Sequence, residues 1–174
     1  HTITLRQHIH QHPELGNMEF KTSELVQREL KSYGIEVRKG YAKTGVIGVL
    51  KGAKPGPVMT LRADMDALPI QETAPVSFAS KQKAIYQGKE THVMHACGHD
   101  AHTAMLLGAA KVLAANKDKI TDKRCAISVL TMPAYCKDLA KNKNTLGNKT
   151  PSATISHHGV FEIETWLRSG LNQK

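Results

Sequence analysis

The sequence predicts an α/β fold in which a mixed, largely parallel sheet is flanked by helices. Segments whose apolar residues recur at helical spacing alternate along the chain with short β-branched segments, which is typical of α/β proteins. Of the 174 residues, 40% are hydrophobic, so the chain is long enough to bury one core and too short for two comfortable domains. We therefore expect a single domain over residues 1–174.

The first two predicted elements are helices. Residues 3–12 show a loose helical face that ends at Pro13, because proline disfavours helix in the residue before it. Residues 18–30 carry apolar side chains at helical spacing, with Asn17 as a candidate N-cap and Gly34 as a candidate C-terminal stop. We expect this pair of helices to precede the first strand.

Three strands are expected to follow. Residues 35–37 alternate apolar and charged side chains, residues 46–50 form a β-branched run, and residues 58–61 indicate a buried strand. The third strand ends in a polar run that contains Asp64 and Asp66. Because side chains at the carboxyl ends of strands in an open α/β sheet face the ligand crevice, we expect these two carboxylates to lie near the chemistry.

The remaining chain predicts further helical and extended segments. Residues 71–92 are weakly patterned and indicate a loop with short strands. After Asp100, residues 101–113 are apolar around most of a helical circumference, which predicts a buried helix. Residues 127–130 indicate another strand, and the residues 134–152, rich in Lys, Asn and Thr, indicate a loop or a poor helix.

The charge composition raises the question of a nucleic-acid partner. Lysine and arginine total 24 against 15 acidic residues, which gives a net charge of +9. The basic residues are scattered, however, and no aromatic side chains are interleaved with them for base stacking. We therefore favour a solvated basic surface and expect no nucleic-acid partner; salt-dependent retention on DNA would favour the opposite conclusion.

Apolar segments and cysteines bear on the cellular compartment of the protein. No stretch approaches the roughly 18 apolar residues of a membrane span, so we expect a soluble protein without a membrane partner. Three cysteines cannot form a closed disulfide framework without leaving one over, and Cys125 and Cys136 are most simply thiols. The chain begins at His1, which fits a processed or trimmed product. Both a cytoplasmic location and export with removal of the signal therefore stay open.

The densest chemical signal is a run of histidines, a cysteine and a carboxylate within eight consecutive residues, namely His95, Cys97, His99, Asp100 and His102. Thiolate and imidazole suit zinc and neighbouring transition metals, and Gly98 permits a tight turn that lets Cys97 and His99 point to one place. Asp100 is placed to orient a ligating imidazole. The alternative is a structural cluster whose histidines cap or solvate the start of the helix.

Two further groups of side chains are candidates. Asp64 and Asp66 alternate along a strand, so two carboxylates would share one face, which is costly unless a cation lies nearby. A metal would relieve this repulsion, and so would backbone N–H groups or Arg62. The pair His157-His158 follows a polar loop and by itself is more typical of a surface feature than of a ligand.

Four segments of the chain resemble the M20 metallopeptidases, in the branch of aminoacylases, hippurate hydrolases and auxin-conjugate hydrolases. They are HQHPELG at 10–16, TGVIGVLKG at 44–52, LRADMDALP at 61–69 and MHACGHDAHTAMLLG at 94–108. The resemblance implies a zinc-peptidase-like catalytic domain with two divalent metals, which activate water to attack the amide bond of an N-acyl amino acid. Zinc, manganese, nickel and cobalt are all compatible with such ligands.

The resemblance also implies roles for individual residues. Cys97 and His99 map onto metal ligands of the family's CGH motif. Asp66 and Asp64 occupy the strand end beside the centre in supporting roles, and His102 lines the same pocket. The later segment ISHHGVFEIE resembles the family's last metal-binding segment, in which position within the pattern favours a ligand at His157 over its neighbour.

The chain departs from the family pattern in its middle. The Gln-Pro-Ala-Glu-Glu segment, whose glutamates serve the family as general base and metal ligand, is not visible, and neither is the smaller dimerisation domain. The resemblance thus implies two ends of a family member joined near residues 130–145. We expect a monomer whose general base is unknown. Because loss of such a base typically costs ~10²–10⁴-fold in rate, we expect this chain to bind metal better than it turns over substrate.

Two functions stay open at this point. One is a metal-dependent amidohydrolase of N-acyl amino acids or related conjugates. The other is a non-catalytic metal-binding module with the same fold. Stoichiometric divalent metal that is lost in Cys97→Ser would support the first, and bound metal without hydrolysis would support the second. Robust hydrolysis by this chain would contradict the expected loss of the base.

Overall fold

The computed structural model describes residues 1–53, 58–120 and 124–130. The elements in chain order are α1 (Thr2–Gln11), α2 (Phe20–Ser32), β1 (Glu36–Tyr41), β2 (Gly45–Lys51), β3 (Val58–Asp64), β4 (Lys83–Tyr86), β5 (Lys89–His92), α3 (His99–Ala115), a 3-10 turn (Lys117–Lys119) and β6 (Arg124–Leu130). The predicted helices and strands within these residues are confirmed, and the weakly patterned residues 71–92 contain the hairpin of β4 and β5. The loop or poor helix predicted at 134–152 lies outside the described residues.

Four strands form one sheet in the order β1-β2-β6-β3. β3 pairs with β6 in parallel, whereas β2 pairs antiparallel with both β1 and β6. The sheet is mixed, as predicted, but its described pairings are mostly antiparallel, which departs from the largely parallel sheet expected. The physical reason is the tight turn between β1 and β2, where Ala42 and Lys43 adopt φ of 44° and 71° and reverse the chain. A parallel neighbour needs a long crossover, which β3 and β6 obtain through α3.

The helices pack their apolar faces against this sheet. Ile9 of α1, Leu30 of α2 and Leu107 of α3 are almost completely buried and share one core with Val46 and Ile127 of the sheet. The apolar positions that predicted the helices are therefore the positions that build the core.

Gly48 of β2 allows α2 to lie close to the sheet. A Cβ atom on Gly48 would lie 3.0 Å from Cγ2 of Ile35 and 3.2 Å from Cδ1 of Leu30. These distances are shorter than the optimal separation of two carbon atoms, so the position accommodates glycine best.

The start of α2 differs from the prediction. Asn17, the expected N-cap, lies in a turn with φ of 65°, and the helix begins only at Phe20. The N–H groups of Lys21 and Thr22 donate to the carboxylate of Glu14 over 3.1 and 2.8 Å. The expectation that Asn17 caps the helix is therefore wrong, because the longer side chain of Glu14 reaches the helix start from the preceding loop.

The end of α2 is as predicted. Gly34 adopts φ of 74°, and its N–H donates to the carbonyl oxygen of Lys31 over 3.0 Å. The N–H of Ile35 donates to the carbonyl oxygen of Leu30 over 3.1 Å. This left-handed residue ends the helix and directs the chain into β1.

α3 has a buried side and an exposed side. Ala104 and Leu107 are fully buried, as the apolar pattern predicts. Met105 and Val112 are 57% and 63% exposed, so the burial expected around most of the circumference is wrong for that side. Among residues 1–53, 58–120 and 124–130, no helix is both long enough and apolar enough to cross a membrane.

The described residues lie within one compact unit, His1–Ala134. The junction expected near residues 130–145 falls almost wholly outside the described residues, and the single domain over residues 1–174 stays a prediction.

Candidate functional site

The candidate site lies where β3 ends and α3 begins. Gly98 is the N-cap of α3 and has a left-handed backbone with φ of 83°, so the chain turns sharply between Cys97 and His99. Glycine adopts this conformation without a steric penalty, and the tight turn predicted at Gly98 is confirmed. One turn into the helix, Oγ1 of Thr103 donates to the backbone oxygen of Asp64 over 2.9 Å. This bond attaches the first turn of α3 to the end of β3.

His99 is held by Asp66. Its Nδ1 donates to the backbone oxygen of Asp66 over 2.9 Å and lies 3.2 Å from Oδ1 of the same residue. The hydrogen bond to the Asp66 side chain raises the pKa of His99, and burial opposes that rise. A proton on Nδ1 leaves the lone pair of the neutral ring on Nε2. This arrangement is usual for metal-binding histidines, which donate their other ring N–H to a carboxylate or carbonyl.

Asp100 is directed away from His99. Its Oδ2 accepts hydrogen bonds from Nε of Arg6 over 2.8 Å and from Nδ1 of His10 over 2.9 Å. The imidazole that Asp100 holds is therefore that of His10 and not that of the expected ligand. Successive residues of a helix project about 100° apart, so His99 faces the end of β3 while Asp100 faces α1.

The two strand-end aspartates have different surroundings. Asp64 is the last residue of β3, and its Oδ1 accepts from Nε and Nη2 of Arg62 over 3.0 and 2.9 Å. Asp66 lies beyond the strand and is buried. The two carboxylates therefore do not alternate along one strand. The charge of Asp64 is balanced by Arg62, which is the alternative that the sequence left open.

The other predicted site residues are placed as follows. Cys97 is a free, exposed thiol in the turn that precedes α3. His102 lies beside His99, with ring centroids 6.1 Å apart. His157 lies outside the described residues. The structure therefore brings Asp66, His99 and His102 together next to the turn of Cys97.

His95 is a buried imidazole behind this turn. It is 4% exposed, and within the described ranges neither ring nitrogen has a hydrogen-bond partner. Burial lowers the pKa of His95 to about 4, against the opposing effect of the Asp100 charge. The ring is therefore neutral near pH 7.

Sequence reasoning missed a buried network next to the site. Nε2 of His10 lies 2.9 Å from Oε1 of Glu72, while its Nδ1 bonds to Asp100. The one available signal was the spacing of Arg6 and His10, which places both on one face of the first predicted helix. Nothing in the weakly patterned loop singled out Glu72, because its partner is far away in the sequence.

Known proteins are similar to this chain over most of the part that the structure describes. Residues 60–134 match the model of peptidase family M20/M25/M40. Thermostable carboxypeptidase 2 of Saccharolobus solfataricus is 48% identical over 133 residues, which are 76% of this chain and 31% of that protein. This chain belongs to peptidase family M20/M25/M40. Another M20 relative, the N-acetyl-L-cysteine deacetylase of Bacillus subtilis, is 46% identical over 132 residues, 76% of this chain and 29% of that protein.

A solved M20 structure has the same fold over the matched region. It is a dinuclear metal-binding peptidase from Bacillus subtilis, with a TM-score of 0.66 and 39% identity over 74% of this chain and 34% of that chain. The M20 chain described here spans about a third of the length of the relatives that it matches. The mixed α/β fold expected from the sequence is thus confirmed.

The side chains present fit a metal centre in type but not in number. In the part of the M20 chain that the structure describes, no group of three or more His, Cys, Asp or Glu side chains could hold a metal ion. A catalytic zinc site usually has three protein ligands. Cys97 and Nε2 of His99 supply soft and borderline donors, which suit zinc and its neighbours.

Proposed function

We propose that the M20 protein represented by this chain is a metal-dependent amidohydrolase that cleaves the amide bond of N-acyl amino acids. The observation that carries the proposal is the His99–Asp66 pair at the Cys97 turn, where one ring nitrogen is bonded and the other keeps its lone pair. The deacetylase relative, by its name, acts on an N-acyl amino acid, which supports this substrate class.

The proposal gives each predicted residue a role. Cys97 and His99 donate to a divalent metal, and His157 is a further ligand. Asp66 orients the His99 ring and favours coordination by Nε2. The chemistry expected of such a centre is activation of a water molecule for attack on the amide carbonyl.

The metal is proposed as divalent, with two ions in a complete site. The solved relative described as dinuclear supports this number. Zinc, manganese, nickel and cobalt all accept mixed thiolate, imidazole and carboxylate ligands, so the donor types do not select one of them. We assign His102 and Asp64 to the surroundings of this centre, and the general base is not assigned.

A hydrolysis assay tests the proposal. The purified chain is incubated with N-acetyl and N-benzoyl amino acids in the presence of each candidate metal, and free amino acid is measured. Because no general base is assigned, we expect slow metal-dependent release that Cys97→Ser abolishes, while Cys136→Ser serves as the matched control and leaves release unchanged. Release that persists without metal, or that is insensitive to Cys97→Ser, would exclude the proposed centre.

The second candidate is a non-catalytic metal-binding module of the same fold. The observation that favours it is the incomplete donor set, because the described residues supply neither a third metal ligand nor an assigned base. Stoichiometric metal that requires Cys97, without hydrolysis of any substrate in the panel, would support this module over the enzyme.

A further inference from the structure

We propose that His10, held between Asp100 and Glu72, is a positioning residue for the turn that carries Cys97 and His99. The proposal deepens the proposed function, because it concerns the same turn, and rests on that function only for the effect on metal binding. The residues involved lie on α1, in the 71–82 loop and in the first turn of α3.

The imidazole of His10 is clamped on both sides by carboxylates. Nδ1 lies 2.9 Å from Oδ2 of Asp100, and Nε2 lies 2.9 Å from Oε1 of Glu72. The side chains of His10, Asp100 and Glu72 are 7%, 1% and 2% exposed. Hydrogen bonds to ionised groups in such buried surroundings are stronger than those at the surface.

The cluster alternates basic side chains with carboxylates. Each ring nitrogen of His10 faces a carboxylate oxygen, which accepts hydrogen bonds when it is ionised. Arg6 supplies a positive charge through its Nε contact with Asp100, and its guanidinium lies 5.0 Å from the centre of the Phe78 ring. Asp100 therefore has an arginine and a histidine as partners, and these contacts offset the cost of burying its carboxylate.

The cluster continues into the loop that approaches the site from the other direction. Oε2 of Glu72 accepts from the backbone N–H of Ser80, and Oγ of Ser80 donates to the carbonyl oxygen of Val93 over 2.7 Å. Val93 lies just before the segment that leads to Cys97. The His10 clamp thus joins α1, the 71–82 loop and the approach to the turn.

The opposite side of the turn is attached to β3. Oγ1 of Thr103 bonds to the backbone of Asp64, and Nδ1 of His99 bonds to Asp66. Asp100 follows His99 directly, so the first turn of α3 is held by the strand end on one side and by His10 on the other. If the hydrogen bond between His10 and Asp100 is lost, the turn should stay attached only through Asp64 and Asp66.

Hydrogen exchange on the chain tests the proposal. Exchange is followed by mass spectrometry in peptides that cover residues 97–104, in parallel with the alkylation rate of the Cys97 thiol, for the unmodified chain, His10→Asn and Glu72→Gln. His12→Asn is the matched control, because His12 directly follows the same helix and its Nδ1 bonds to the carbonyl oxygen of His8, outside the cluster of His10. Glu72→Gln keeps the shape of the side chain, so it tests the role of the His10 contacts even if His10→Asn does not fold.

We expect exchange at residues 99–104 to accelerate about tenfold or more in His10→Asn and Glu72→Gln, as for loss of one charged hydrogen bond. Exchange in the core of α2 should stay unchanged, and His12→Asn should resemble the unmodified chain. Folded variants with unaltered exchange in this turn, or with equal acceleration in every helix, would overturn the proposal.

A cobalt titration separates this inference from the proposed function. If the unmodified chain shows no Cys97-dependent cobalt binding, the proposed metal centre is excluded. The exchange result then still tests whether His10 holds the turn. If the chain binds cobalt, the affinity of Glu72→Gln should fall by ~10–100-fold, the range seen when outer contacts of metal ligands are removed. Unchanged affinity together with accelerated exchange would overturn the positioning role and leave a structural contact.

Discussion

At the residue scale, the protonation pattern of the His99 ring depends on Asp66. The backbone and side-chain oxygens of Asp66 both face Nδ1, and this fixes the tautomer that leaves the lone pair of Nε2 for coordination. A neighbouring residue, Asp100, bonds instead to His10. Two consecutive residues of one motif therefore serve two different parts of the structure.

Replacement of Asp66 by Asn should weaken metal binding. The amide has one acceptor oxygen and no charge, so the hold on Nδ1 of His99 loosens, and we expect the affinity for a divalent metal to fall by ~10–100-fold. The measurement is a cobalt titration followed by absorption. Asp118→Asn, at an exposed position of the 3-10 turn, is the control and should leave the affinity unchanged. An unaltered affinity in Asp66→Asn would show that the backbone oxygen alone orients the ring.

Glu72 should contribute stability that depends on pH. Burial acts to raise its pKa, but the hydrogen bonds from His10 and Ser80 bring it below the ordinary value of 4.5. A carboxyl whose pKa is lowered on folding stabilises the protein above its unfolded pKa, and this contribution is lost as the pH falls through the lower folded value. Unfolding by urea between pH 7 and pH 3 should therefore show a shallower acid loss in Glu72→Gln. Parallel pH profiles for both proteins would contradict this.

At the scale of elements, local patterns predicted the helices and strands well, because core positions recur at 3.6 or 2 residues and are visible in the sequence. The pattern failed where a partner comes from outside the element. Asn17 has the chemistry of a cap, yet Glu14 caps α2 from the preceding loop. Likewise, no short window could show that His10 meets Asp100 and Glu72.

The cap of α2 gives a stability prediction. Glu14→Ala removes the acceptor of the Lys21 and Thr22 N–H groups, so the free energy of unfolding should fall by about 1 kcal/mol. Chemical denaturation measures the change. Glu24→Ala, at an exposed position of the same helix, is the control and should change stability by less than about 0.5 kcal/mol. Equal losses in both variants would mean that Glu14 is not the cap.

The start of α3 gives a second prediction at this scale. Gly98 has φ of 83° with no atom within 4 Å of an added Cβ, so substitution is limited by the backbone alone. Gly98→Ala should lower the free energy of unfolding by about 1–2 kcal/mol, and Gly98→Asn by less, because asparagine tolerates the left-handed region. The two variants are compared by urea denaturation. A larger loss in Gly98→Asn would indicate a steric limit in place of the backbone effect.

At the scale of the whole molecule, strand direction and the site depend on long-range contacts. The sequence predicted a mixed sheet, but the balance of parallel and antiparallel pairs follows from the turn between β1 and β2 and from the place of β6 between β2 and β3. The candidate site was predicted as a segment, since its histidines and cysteine are close in sequence. The residues that hold it in place, Arg6, His10 and Glu72, come from distant positions in the sequence. The match to the relatives covers about a third of their length.

The central claim is that the Cys97–His99 turn is part of a metal centre. Cobalt titration of the purified chain, followed by near-ultraviolet absorption of the cobalt–thiolate bond, tests it most directly, with Cys97→Ser alongside. The account predicts a saturable absorption band in the unmodified chain that is absent in Cys97→Ser and weakened in Asp66→Asn. No such band in the unmodified chain, or an identical band in folded Cys97→Ser, would contradict it.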